Sequence, residues 1–240
     1  MSQKQCNPLA VRALNKGSPI LPPTGGTKGV RDPSISIHIW ESTDLITWGT
    51  YRLVKVEGNA GMVWAPGAIW YPAKGQYLVH WAFKFYSPSD TAHTSATGPE
   101  QIRYAYTPDL LTFSTPQTLI SYAPTSIIDL CILPLSASTF VRSMKNESAS
   151  NVFMEVSTNG LFGSWTRPGG KDAFVVLIMD YYGSDGYWPF TSSFKSADGA
   201  GLINGGWTDA SRTAWPIKLR HESVVGVTKE RCGALAAKWG

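Results

Sequence analysis

The sequence predicts an all-β protein built from a repeated strand unit, and a recurring turn is the first observation that predicts it. Ser42–Trp48 is a polar turn that ends on an aromatic residue; Thr107–Phe113 repeats it, and Ser157–Trp165 repeats it with two residues more. The repeated leucines are 65 residues apart (110 − 45) and then 51 apart (161 − 110). An aromatic-punctuated strand unit recurring at about that period is typical of a propeller or another repeat architecture.

Composition is the second observation behind this prediction. Charged residues make up only 16% of the chain, whereas 23 glycines, 16 prolines and 12% aromatic residues indicate many turns. This balance argues against helical bundles and against disorder. A chain of 240 residues can form one substantial core, and a repeat fold favours a single domain over residues 1–240. A β-sandwich or an open stack of sheets is the alternative architecture.

Short apolar or alternating runs predict the individual strands. They lie at about 35–41, 51–57, 68–72, 76–84, 101–107, 116–121, 127–134, 139–144, 151–157 and 173–181. The last run is continuously apolar over Ala173–Met179, which predicts a strand buried on both faces. Residues 183–216 show little periodicity and are predicted to be loops. Thr228–Trp239 is the predicted short C-terminal helix, with Thr228 as its N-cap.

Charge and motif content exclude several classes of function. The net charge is +4 with scattered basic residues, which does not favour nucleic-acid binding. No run of eighteen apolar residues predicts a membrane span, and the N-terminus lacks the apolar core of a secretion signal. Three cysteines allow at most one disulfide and have no metal-ligand spacing: Cys6, Cys131 and Cys232. No metal site is predicted from these residues.

Isolated carboxylates and tryptophans are the candidate functional residues. Asp32 stands between an arginine and a proline, and Asp129 lies within the apolar run Ile127–Leu133. A carboxylate inside a buried strand must be paired, hydrogen-bonded or facing a cavity, because burying it alone is costly. The plainer alternatives are that Asp32 is a turn residue and that Asp129 binds backbone amides. Trp64 and Trp81 are core residues or platforms for sugar rings.

The order of these motifs resembles a known family. Arg31-Asp32-Pro33, the Ser42–Trp48 turn and Val63-Trp64-Ala65-Pro66 resemble the five-bladed β-propeller glycoside hydrolases of family 43, in particular its fungal arabinanase- and xylosidase-like members. The resemblance covers most of the chain, over Gly26–Ile35, Ser36–Tyr86, Ile102–Leu135, Val152–Gly170, Leu177–Tyr187 and Leu219–Trp239. It implies a five-bladed β-propeller with one or two incomplete blades.

The resemblance also implies a chemistry, namely inverting hydrolysis of O-glycosyl bonds in plant polysaccharides that contain arabinose or xylose. Asp32 corresponds to the general base, and Asp129 to the aspartate that raises the pKa of the general acid. Trp64 and Trp81 would bind substrate, and His221 would stand near the propeller axis. The family implies a monomer with no required cofactor, with Ca²⁺ on the axis as an option. It also implies an extracellular protein, although this chain begins without a signal peptide.

Two internal departures from the family pattern bear on activity. Ile35 runs directly into Ser36, where the family continues through the rest of a first blade. Between Gly170 and Leu177 the chain lacks the Glu-Gly-Pro segment whose glutamate is the family's general acid. Gly67, Cys131 and Glu222 are smaller departures. The sequence therefore predicts a family member with impaired hydrolysis; the alternatives are a non-catalytic carbohydrate-binding propeller and a propeller that serves as a protein-interaction scaffold.

Overall fold

The computed structural model describes residues 15–18, 20–25, 36–92, 94–167, 172–181, 186–194, 208–212 and 227–240. A 3₁₀ turn, Asn15–Gly17, precedes the first strand. The strands are β1 (Ser36–Ile39), β2 (Arg52–Lys55), β3 (Ala60–Tyr71), β4 (Gln76–Tyr86), β5 (Ala96–Thr107), β6 (Gln117–Ile120), β7 (Ile127–Pro134), β8 (Phe140–Asn146), β9 (Asn151–Ser157), β10 (Asp172–Tyr181), β11 (Gly186–Phe194) and β12 (Thr208–Asp209). The helix α1 (Lys229–Trp239) follows.

The described strands form four antiparallel sheets in chain order: β1-β2, β3-β4-β5-β6, β7-β8-β9 and β10-β11-β12. The protein is thus mostly β with a short C-terminal helix, and this part of the prediction is confirmed. The described strands do not join into a closed sheet. The number of five blades therefore stays a prediction.

The chain divides into two compact units. One comprises residues 1–22, 42–49 and 168–240 and carries the sheet β10-β11-β12 with α1. The other comprises residues 23–41 and 50–167 and carries β1 to β9. The single-domain organisation stays a prediction. Among the described helices, none has the length and apolar character needed to cross a membrane.

The unit that carries β1 to β9 is organised around the sheet β3-β4-β5-β6, which is buried on both faces. Along β4, Leu78 and Ala82 join a cluster with residues of β7 and β8. Side chains on the opposite face of β4, as the period of two in a strand requires, pack against residues of β1. They are Val79, Trp81 and Phe83. The central sheet therefore lies between β1-β2 and β7-β8-β9.

The recurring turn has the same hydrogen bonds in its first two copies. Asp44 Oδ1 accepts from the amides of Ile46 and Thr47 at 2.8 and 2.7 Å, and Ser42 Oγ accepts from the amide of Leu45 at 2.7 Å. These amide bonds lower the pKa of Asp44 to about 2. Leu45 occupies the left-handed region with a φ of 64°. Side-chain oxygens that accept hydrogen bonds from nearby backbone amides stabilise polar turns of this kind.

The later copies show which positions are equivalent. In the second turn Asp109 Oδ1 accepts from two amides at 2.8 Å, and Leu110 has a φ of 56°. In the third turn the left-handed residue is Gly160, with a φ of 100°, rather than Leu161. The structural period is therefore 65 residues (110 − 45) and then 50 (160 − 110). Leu161 is instead buried in the core.

Two predictions about elements need correction. Residues 183–216 were expected to be loops, but they contain β11, which pairs with β10 along its length, and the short β12. The strand expected at 68–72 begins earlier, at Ala60, because an irregular register carries β3 through Trp-Ala-Pro. The helix is confirmed, with Thr228 Oγ1 accepting from the amide of Arg231 at 3.2 Å. The side chains of Ala173–Leu177 lie outside the described set.

Candidate active site

Two β-bulges on neighbouring strands mark the candidate site. The register of β3 shifts between Trp64 and Gly67, where Ala65 has a φ of 46°. The register of β7 shifts between Ile128 and Cys131, where Asp129 has a φ of 56°. A positive φ is uncommon for residues other than glycine, and bulges near active sites re-aim side chains. The strands β3 and β7 pack against each other.

Asp129 lies at the bulge of β7 and is exposed. The sequence places it inside an apolar strand, and Ile127, Ile128 and Leu130 are indeed buried. The burial of β7 alternates from Ile128 to Leu133, and Asp129 falls at an exposed position of this alternation. Its carboxylate is thus not buried alone, which is compatible with the expectation that it is paired, hydrogen-bonded or facing a cavity. Its role as the residue that adjusts the general acid stays a prediction.

The two candidate tryptophans occupy different environments. Trp64 is half-buried at the start of the β3 bulge and packs against the cluster that joins the central sheet to β7. Trp81 is 0% exposed and lies in the core on the opposite face of the central sheet. Trp64 can thus present part of its ring at the site. A substrate contact by Trp81 stays a prediction.

The other two predicted site residues, Asp32 and His221, lie outside the described residues. The base role of Asp32 therefore stays a prediction. Within the described chain, no group of three or more His, Cys, Asp or Glu side chains is arranged to hold a metal ion. Calcium at a propeller axis stays a prediction as well.

His80 is a buried residue beside the site that the sequence analysis did not single out. It lies on β4, directly opposite Gly67 on β3, and only 2% of it is exposed. A β-carbon on Gly67 would stand 2.5 Å from His80 Cε1, so the imidazole occupies the space of a side chain at position 67. This accounts for the glycine found where the family usually has an acid. Burial lowers the pKa of His80 to about 4, which keeps the ring neutral.

A buried ion pair forms a second polar centre in the same unit. Arg142 on β8 lies opposite Glu155 on β9, and its Nε and Nη2 donate to Glu155 Oε2 at 2.8 and 2.6 Å. Tyr122 donates its hydroxyl to Glu155 at 2.9 Å and accepts from Arg142 Nη2 at 2.9 Å. Burial and then the bond to Glu155 raise the pKa of Tyr122. The carboxylate of Glu155 therefore accepts from three donor groups, namely Nε and Nη2 of Arg142 and the hydroxyl of Tyr122.

The sequence contains a pattern that indicates this ion pair. Arg142 stands between Phe140 and Met144 on an apolar face, and Glu155 interrupts the apolar run of the next strand. One charge of each sign on the buried faces of adjacent predicted strands indicates a cross-strand pair. No comparable signal identified His80, since a single histidine in an apolar strand is compatible with many environments.

Comparison with known proteins identifies the family. Residues 34–174, more than half of the chain, match the family described as "Probable glycosyl hydrolase domain". The chain belongs to this glycosyl hydrolase family. Over 96 residues this glycosyl hydrolase domain is 30% identical to an alpha-L-arabinofuranosidase of Bifidobacterium longum subsp. longum. That match covers 35% of the chain and 9% of the relative.

Two solved structures have a partial likeness to the chain. A glycosyl hydrolase from Bacteroides ovatus is 14% identical, with a TM-score of 0.39 over 79% of this chain and 60% of its own. A protein from Parabacteroides distasonis described as a glycoside hydrolase is 12% identical, with a TM-score of 0.39 over 82% of this chain and 61% of its own. The glycosyl hydrolase domain thus spans about three-fifths of the length of these two proteins.

Proposed function

We propose that this glycosyl hydrolase domain acts on O-glycosyl bonds of plant polysaccharides that contain arabinose or xylose, with inversion at the anomeric carbon. The observation that carries the proposal is the pair of bulges at Ala65 and Asp129, on two packed strands of a chain that belongs to a glycosyl hydrolase family. The partial likeness to an alpha-L-arabinofuranosidase supports the choice of sugar.

The proposed mechanism assigns one step to each carboxylate. Asp32 takes a proton from a water molecule, whose oxygen attacks the anomeric carbon and displaces the leaving group. Asp129, exposed at its bulge, can stay ionised without the cost of burial and would raise the pKa of a nearby acid. An inverting site places acid and base roughly 6.5–9.5 Å apart, which leaves room for the attacking water.

The weak point of this mechanism is protonation of the leaving oxygen. The segment between Gly170 and Leu177 contains no glutamate, so the family's general acid has no counterpart there. The leaving group would then take its proton from solvent, and a positioned acid commonly contributes on the order of 10²–10⁴-fold. We therefore propose that hydrolysis by this chain is slow.

A second candidate function follows from the same absence. If hydrolysis is lost, the half-exposed Trp64 and the bulged strands would form a carbohydrate-binding surface without turnover. The discriminating experiment combines two measurements on the same preparation. One follows hydrolysis of aryl α-L-arabinofuranosides and aryl β-D-xylosides, with the anomer formed first identified by NMR. The other follows binding to arabinan and xylan by affinity electrophoresis.

The possible results separate the proposals. Slow turnover with inversion supports the hydrolase, and binding with no turnover supports the binding protein. Turnover as fast as in a family member that carries the Glu-Gly-Pro segment would refute the lost acid. Neither turnover nor binding with either sugar would overturn both proposals, and retention of configuration would overturn the inverting mechanism.

A further inference from the structure

A small polar pocket lies beside the buried ion pair. It has a volume of about 210 Å³ and is lined, among the described residues, by Tyr122, Thr125, Asn146, Phe153, Glu155 and Arg167. Ligand sites for drug-sized molecules commonly measure about 300–1,000 Å³. This pocket is smaller, so it suits one ring-sized ligand rather than an extended oligosaccharide.

Two arginines meet the single carboxylate of the pocket. Glu155 is neutralised by Arg142, which is buried and donates to it twice. Arg167 is a second arginine at the same carboxylate, with its Nε 3.5 Å from Glu155 Oε1. Its side chain is 56% exposed, and its guanidinium lies 3.9 Å above the ring centre of Phe153. Because Arg142 already neutralises Glu155, the positive charge of the exposed Arg167 can serve a ligand.

The remaining lining groups suit hydroxyls and an apolar ring face. Asn146 accepts from the amide of Ala149 through its Oδ1, so its amide nitrogen can donate to a ligand. The carboxylate of Glu155 can accept from a ligand hydroxyl, and Thr125 offers a third polar group at the wall. Tyr122 and Phe153 present tilted rings 6.2 Å apart.

We propose that this pocket binds a carboxylate-bearing sugar, with the carboxylate on Arg167 and ring hydroxyls on Glu155 and Asn146. An arginine fork matches a carboxylate geometrically, and the buried Glu155 disfavours a plain anion that has no hydroxyl to donate. Thus hydroxyls and a carboxylate on the same ligand satisfy the pocket, whereas either group alone does not.

The pocket lies close enough to the candidate active site to act on the same polysaccharide. In register, the β7 bulge at Asp129 is opposite Met144, and Met144 is opposite Phe153. The pocket wall is therefore two strands away from Asp129, or about 10 Å at the usual strand spacing. A uronate residue of a substrate chain would thus be held near the bond to be cleaved. Only this link to a substrate chain rests on the proposed hydrolase function; the binding chemistry of the pocket does not.

The test uses the full 240-residue chain and binding rather than turnover. Calorimetric titrations compare the methyl glycosides of glucuronate and galacturonate with methyl xyloside and methyl glucoside. Acetate and inorganic phosphate serve as anions without a sugar ring. Arg167→Gln removes the proposed carboxylate partner, and Arg52→Gln removes a half-buried arginine from a salt bridge on β2 as the matched control. Circular dichroism checks that both variants are folded.

We expect a uronate glycoside to bind at least about tenfold more tightly than the neutral glycosides, because a hydrogen bond to a charged group strengthens binding by about that factor. Arg167→Gln should remove this preference, Arg52→Gln should retain it, and added salt should weaken it. The proposal would be overturned if uronates bound no more tightly than neutral glycosides or acetate, or if no saturable uronate binding were found. It would also be overturned if Arg167→Gln bound uronates with the same preference as the native protein. Hydrolysis of neutral arabinosides, measured separately, reports on the proposed hydrolase function alone.

Discussion

His80 lies so close to Gly67 that the two residues share the space of one side chain. They face each other across β3 and β4, and a β-carbon at position 67 would stand 2.5 Å from His80 Cε1 and 2.7 Å from Nε2. Gly67 is also the residue at which β3 regains its register after the bulge at Ala65. The imidazole therefore supports the bulge from within the sheet, and the glycine makes that support sterically possible.

Replacing Gly67 with alanine should destabilise the protein. The added methyl group must displace a buried ring in a packed strand, and overpacking of this kind costs about 1–3 kcal/mol. Urea unfolding measures the loss. Gly58→Ala is the matched control, because its β-carbon would meet Lys55 Cε at an ordinary 3.8 Å. An unfolding free energy of Gly67→Ala equal to that of Gly58→Ala would contradict the contact.

Stability should fall between about pH 6.5 and pH 4 because of His80. Burial lowers the pKa of His80 from 6.5 to about 4, so in this range the unfolded chain takes up a proton that the folded chain excludes. The contribution is fully present above pH 6.5 and is lost as the pH falls, by about 3 kcal/mol at most. Urea unfolding at a series of pH values measures this slope, which His80→Gln should reduce.

The acidic turns provide an internal check on that pH range. The amide bonds to Asp44 and Asp109 lower the pKa of both carboxyls, to about 2 for Asp44. Because these pKa values are depressed, their contributions are present above the ordinary carboxyl pKa of 3.8 and are lost only below it. A slope in His80→Gln as steep as in the native protein would show that other groups cause the loss.

Local interactions explain why parts of this fold could be predicted from the sequence. The turn at Ser42–Trp48 was predicted because its acceptors bind amides two or three residues away. The bounds of β7, Ile127–Pro134, also match the prediction, since an apolar run between polar turns is a local signal. The N-cap at Thr228 is a local signal as well.

The rest depends on which strands become neighbours. Asp129 lies at a bulge that forms only when β7 pairs with β8, and a run of apolar letters does not show the bulge. The contact of Gly67 with His80 arises only when β3 pairs with β4. The strand Gly186–Phe194 is not evident from the sequence because glycine and aromatic residues hide its alternation, although its pairing with β10 is regular from Val175 to Tyr181. These features follow from tertiary pairing, which overrides local pattern.

Glu155→Gln should be strongly destabilising. It leaves Arg142, 7% exposed, as a buried charge without its anionic partner, and breaking one side of a buried pair costs about 3–5 kcal/mol. The double change Arg142→Met with Glu155→Leu removes both charges and should cost less than the single change. Urea unfolding compares the two. A double variant less stable than Glu155→Gln would contradict this account.

An exposed salt bridge provides the control for that prediction. Glu41 pairs with Arg52 at 3.0 Å, but its own side chain is 52% exposed. Exposed pairs contribute about 0–1 kcal/mol, so Glu41→Gln should change stability little. A large loss there would mean that charge removal in general, rather than burial of Arg142, explains the effect at Glu155.

Asp109→Ala should destabilise its turn. The change removes the acceptor for the amides of Leu111 and Thr112, both at 2.8 Å. Asp109→Asn keeps a side-chain oxygen at the same place and should recover most of the loss. Thermal unfolding of the two variants distinguishes the oxygen from the charge. Equal losses in both would assign the effect to charge.

Exchange of Asp32 for asparagine separates a hydrolase from a binding protein. The change keeps the shape of the side chain and removes the base, so a hydrolase should lose on the order of 10²–10⁴-fold in kcat with little change in ligand affinity. Asp129→Asn should move the alkaline limb of the pH profile to lower pH if a neighbouring general acid is present, because it removes the charge that raises the pKa of that acid. Asp209→Asn, an exposed aspartate on β12, is the matched control. Assays on aryl arabinofuranosides, with arabinan affinity measured in parallel, report both quantities. If Asp32→Asn retains both full turnover and full affinity, Asp32 is a plain turn residue and the base must be sought elsewhere.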